Sequence, residues 1–66
     1  MTTPTHDDWL AAKRKAEAAA ETACIYLRKG DIRAAEKWAN VNDKWRGRMV
    51  EINSAIEAAA KENARA

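Results

Sequence analysis

Leu27-Arg28-Lys29-Gly30-Asp31 is the turn signal in the body of this 66-residue chain, and its reading decides the fold. Arg28 and Lys29 place cations at the negative end of a helix. Gly30 fits the left-handed position just past a helix, and Asp31 offers a side-chain acceptor to cap the next one. Upstream, Ala, Lys, Arg, Glu and Leu run unbroken through the preceding segment, all good helix formers. Downstream, Gly47 is the sole breaker before about Asn63. The chain therefore reads as all-α: one antiparallel helical-hairpin domain over residues 1–66, with helices over about 6–28 and 32–63 and a turn at 29–31.

The first helix has two possible starts. Thr5 is the better N-cap, with Asp7 and Asp8 in the first turn; Thr3 followed by Pro4 is the alternative. Its apolar face runs Trp9, Ala12, Ala16, Ala19/Ala20, Ala23 and Tyr26/Leu27 at three- and four-residue steps. Such a face, mostly alanine, lets another helix approach closely. The second helix shows Ile32, Ala35, Trp38, Asn42, Trp45, Met49, Ile52, Ile56 and Ala59, a heptad seam from Trp38 onward. Asn42 either fixes register and oligomer state from within that seam or sits at its edge in water. Gly47, which should stand opposite Ala12, reads as a close helix approach or as a kink.

Size makes self-association an expectation. A domain this short has little core, and one cysteine, Cys24, supplies no disulfide framework. The expected helices measure roughly 35 and 48 Å at 1.5 Å per residue. Folded at Gly30, the first should cover the second only to about Val50, leaving Ile52, Ile56 and Ala59 without a partner in the chain. A second copy covering that stripe gives a homodimer in a four-helix arrangement, with Trp38, Asn42, Trp45, Met49, Ile52 and Ile56 as the interface. Residues 61–66 are expected to fray.

Several function classes are disfavoured. One Cys and one His make no zinc site at ordinary ligand spacing, and a lone cysteine suits a reducing cytoplasm. No apolar run reaches the roughly 18–20 residues of a membrane span, and Met1 to Asp8 lacks the basic start and apolar stretch of a signal peptide. The net charge of +2 is spread evenly, five basic against four acidic residues through Gly30 and seven against six beyond it. There is no phosphate loop, and His6 has no nucleophile placed beside it. The chain reads as a non-enzyme with no cofactor or catalytic residue.

Binding is the remaining chemistry. Lys13-Arg14-Lys15 and Lys44-Trp45-Arg46-Gly47-Arg48 fall at one height in an antiparallel hairpin. They form either a patch for an anionic partner or a solvated surface whose successive side chains diverge by about 100°. Trp38 and Trp45 share a face and read as core. Trp9 and Leu10 are the candidate apolar anchor for a partner, since Trp and Arg are enriched in binding hot spots, with Lys13 and Arg46 as the accompanying charges. Trp9 could instead cover a dimer seam.

Thr5-His6-Asp7-Asp8-Trp9, the Ala/Lys/Glu-rich helix after it, the turn at 27–31 and the long Trp38…Trp45 helix together resemble the small early proteins of transposable, Mu-like phages. Among these the chain resembles the anti-quorum-sensing proteins. That resemblance implies a helical-hairpin dimer in the bacterial host's cytoplasm. It implies binding to a host autoinducer-responsive transcription activator, whose DNA binding is blocked, and to a pilus-assembly ATPase. It carries over no site residue. A small nucleic-acid-binding accessory protein using the basic clusters is the alternative, although no helix-turn-helix spacing is visible.

Overall fold

The computed structural model describes residues 3–65; Met1 and Thr2 of the polar tail and Ala66 lie outside them. Two helices make up the fold, α1 over His6–Arg28 and α2 over Ile32–Arg65, with no strand among the described residues. They form a rod of 55 × 17 × 15 Å.

Both ends of α1 and the start of α2 are built by local hydrogen bonding. Thr5 is the N-cap of α1: the Asp8 backbone N–H donates to Thr5 Oγ1 at 3.3 Å, and the Thr5 N–H donates to Asp8 Oδ2 at 2.8 Å. This is a reciprocal capping box with aspartate in the place more often held by glutamate. At the other end, Gly30 takes φ +80°, the Asp31 N–H reaches the Tyr26 carbonyl at 3.0 Å, and the Gly30 N–H reaches Leu27 at 3.1 Å. The pair of bonds is a Schellman motif, and it reverses the chain at the position the sequence indicates. Asp31 then caps α2 by accepting from the Ala34 N–H at 3.1 Å. Residues 61–65 continue α2, with no glycine or proline after Gly47.

The interface between the helices is small-residue packing. Ala12, Ala16 and Ala19 of α1 and Ala35 and Ile52 of α2 are the buried residues, while Trp9, Trp38, Trp45, Met49 and Ile56 are half-buried along the edges. Alanine buries little apolar area, so the aromatic side chains laid along the interface supply a large share of what is removed from water.

Asn42 sets the register. Its Nδ2 donates to the Ala16 carbonyl across the helices at 2.7 Å, and the residue is half-buried. It thus lies on the seam, and its bond is made within the hairpin. With Ala16 level with Asn42, His6, ten residues back along α1, lies level with Ile52, ten residues on in α2.

That register corrects the expectation about cover. Ile52 is 2% exposed within a single chain, and Ile56 and Ala59 are half-buried, so this stripe is not left bare. Two causes combine. The residues ahead of α1 continue past its first turn, and Pro4 borders the same hollow as Ile52. Side chains also lean toward the N-terminus of their own helix, which in α2 is back beneath α1. Ile52 is therefore a hairpin core residue, and Asn42 has its amide engaged inside the hairpin; neither is a free surface for a second copy. Gly47 is a further correction. Nothing lies within 4 Å of a Cβ built there, and α2 runs through it as one helix, because two residues past Trp45 the chain has turned about 200° away from the seam. No contact within the chain explains this glycine.

Candidate functional site

The seam of α2 has a companion row one residue later: Arg46, Val50 and Asn53 follow Trp45, Met49 and Ile52. A step of one residue turns the side chain about 100°, so this row looks out along one flank of the hairpin. There it meets Trp9, Lys13, Ala16, Glu17 and Ala20 of α1, and together they border an open groove of about 550 Å³. Buried Ala16 and half-buried Ala20 and Asn42 form its floor. Trp9, Met49 and Val50 supply its apolar walls, and Lys13, Glu17, Arg46 and Asn53 its polar rim. Val50 is 66% exposed, the highest value among the exposed large apolar residues.

Trp9 is held by its helical neighbours. The His6 ring stacks on it at 5.6 Å between centroids and 14° between planes, and Lys13 Nζ lies 5.6 Å from its centre. Contacts of this kind are worth about 0.5–1 kcal/mol at exposed positions, enough to bias a rotamer and keep the indole against the groove. Lys13 also pairs with Glu17 at 3.8 Å, an exposed contact that contributes little. The other ion pair among the described residues is Arg48 with Glu51 at 3.2 Å. Arg46 belongs to neither.

The opposite flank differs. Trp45, Lys15, Arg48 and Asp8 border a smaller hollow of about 270 Å³, with Ile52 at its base. Lys15 Nζ lies 4.4 Å over the Trp45 ring. The two basic clusters do meet at one height, but they separate between the flanks: Lys13 with Arg46 on one, Lys15 with Arg48 on the other. A hairpin of two helices cannot bring three consecutive side chains to one face.

Of the sequence-derived partner residues, Trp9, Lys13 and Arg46 come together in the large groove, while Leu10 is half-buried and lines neither hollow. Met49, expected in a dimer seam, lines the groove wall. Ala16, Glu17, Ala20, Val50 and Asn53 also line the groove without being among the sequence-derived site residues. For Val50 and Asn53 the signal is the i, i+4, i+7 row Arg46-Val50-Asn53 beside the more apolar seam; Ala16 and Ala20 lie on the alanine face of α1. Cys24 is exposed and outside both hollows, and no group of three potential metal ligands occurs among the described residues. No helix among them is long and apolar enough to cross a membrane.

Fold and groove together define a two-helix hairpin with a preformed apolar cleft along one flank. No known protein family, curated protein or solved structure matches the chain.

Proposed function

We propose that this chain is a non-catalytic inhibitor that acts by binding another protein, and that the Trp9–Arg46 groove is its working surface. The supporting observation is the groove itself. A short chain with little large apolar material leaves Val50 mostly exposed beside Trp9 and Met49, with cations on the rim. Apolar anchors at the centre and charge at the edge is the usual anatomy of a protein-binding patch. The resemblance to phage anti-quorum-sensing proteins supplies the partner: a host autoinducer-responsive transcription activator kept from its DNA, with a pilus-assembly ATPase as a second target.

The chain works as a homodimer in this reading. Among the described residues five are buried, four of them alanine, a slight core for a free-standing domain. A second copy covering the half-exposed Trp38, Trp45 and Ile56, on the flank away from the groove, completes a four-helix arrangement and leaves the groove open.

A gel shift of such an activator on its own operator, titrated with this protein, tests the function. Release of the DNA is the expected result, and undiminished DNA binding at excess protein refutes it. Trp9→Ala should weaken the activator complex by about 2 kcal/mol, roughly thirtyfold, with helicity unchanged. Light scattering at micromolar concentration tests the dimer, which a monomer mass would exclude.

A further inference from the structure

We infer that the groove receives a single amphipathic α-helix of the partner, about three turns long and acidic on both flanks of its central turn. This rests on the protein-binding reading above and specifies what is bound. The groove runs from Trp9 to Ala20 on α1 and from Asn42 to Asn53 on α2. At 1.5 Å per residue each stretch is roughly 16 Å; in the Asn42–Ala16 register they are offset by about four residues, so both walls are present for roughly 10 Å and the groove spans roughly 22 Å in all, which brackets a helix of about eleven residues. Its walls are two helices whose backbone groups are already paired internally. An extended peptide laid there would find no ladder partners for its own N–H and C=O groups, whereas a helix brings its hydrogen bonds with it. The alanine floor gives a third helix room to approach, and Trp9, Met49 and Val50 offer apolar contacts for residues spaced i, i+3/i+4 and i+7.

Charge complementarity fixes the sign. Arg46 is level with Ala12, so Arg46 and Lys13 face each other across the groove at one height, midway along it. Arg46 is engaged in neither ion pair among the described residues, and its planar guanidinium is suited to holding a carboxylate with two parallel bonds. Glu17 stands toward the Ala20 end, so the carboxylates of the bound helix belong at its centre and not at that end.

The experiment uses the full chain and two synthetic labelled peptides of about fourteen residues. One carries a leucine stripe at i, i+4 and i+7 flanked by glutamates, and its twin has lysines in place of the glutamates. Fluorescence anisotropy should show saturable binding of the acidic peptide and at least tenfold weaker binding of the twin. Val50→Asp, at a mostly exposed position that the fold tolerates, should weaken the acidic peptide at least tenfold. Arg46→Glu should reverse the preference between the peptides. No saturable binding, equal binding of the two peptides, or an unchanged affinity in Val50→Asp overturns the inference. So does dissociation of a homodimer by Val50→Asp in light scattering, which would mean that a second copy covers the groove. An activator that binds wild type and Val50→Asp equally well refutes the groove and leaves protein binding standing. Peptide binding without activator binding keeps the groove and refutes that partner.

Discussion

Ile52→Ala tests the packing on which the groove's geometry depends. Ile52 is the largest of the five buried side chains and is 2% exposed. The substitution removes three carbons at about 0.8 kcal/mol each, roughly 2.4 kcal/mol of transfer free energy. A cavity term adds to this, and such changes span about 2–5 kcal/mol. Here the site borders the hollow beside Trp45 and Lys15, where neighbours can settle inward, so the expected loss is near the low end, about 2–3 kcal/mol. A chain of this length has roughly 3–10 kcal/mol of stability in all, so one side chain accounts for a large share. The melting temperature should fall by roughly 10–20 °C. Val50→Ala, two residues earlier but 66% exposed, should cost less than about 0.5 kcal/mol. Urea unfolding followed by far-UV circular dichroism, repeated at several protein concentrations, separates this loss from any linked association. If both variants lose under about 1 kcal/mol, α1 does not cover Ile52 and the register drawn from Asn42 is wrong.

Asn42→Ala should lower stability by about 1 kcal/mol in the same urea assay, because it deletes the bond to Ala16 while that carbonyl keeps its place in the α1 ladder. The two glycines should respond oppositely: Gly30→Ala costs about 1 kcal/mol at φ +80°, and Gly47→Ala gains about as much, since a Cβ there meets nothing within 4 Å. Thermal melts of the pair decide this, and no gain at Gly47 refutes the open position that its surroundings indicate. DNA binding should be weak and indifferent to sequence, with dissociation constants of roughly 10⁻⁴ to 10⁻⁶ M in a gel shift at physiological salt, because the cations are divided between two flanks.

Most of the architecture is legible in the residue types alone. Thr5 as cap, Gly30 as the left-handed residue, Asp31 as the second cap and the alanine face of α1 are all written in signals that act over one helical turn. Such signals need no knowledge of distant residues, so the hairpin and both its helix boundaries near the turn followed from residue types alone. The same holds for the meeting of Lys13 and Arg46, since an antiparallel fold with a known turn fixes heights along its axis.

What lay beyond the sequence was the fine register and the rotation of each helix about its own axis. A shift of a few residues separates an Ile52 left bare from a buried one, and that shift depends on Asn42 finding the Ala16 carbonyl 26 residues away. Rotation decided that Val50 and Arg46 border an open groove with Trp9, while Trp45, next to Arg46 in the chain, looks toward the opposite flank. Both quantities are set by how two whole helix surfaces fit together. That fit sums many small contacts across the chain, which no local stretch of sequence contains.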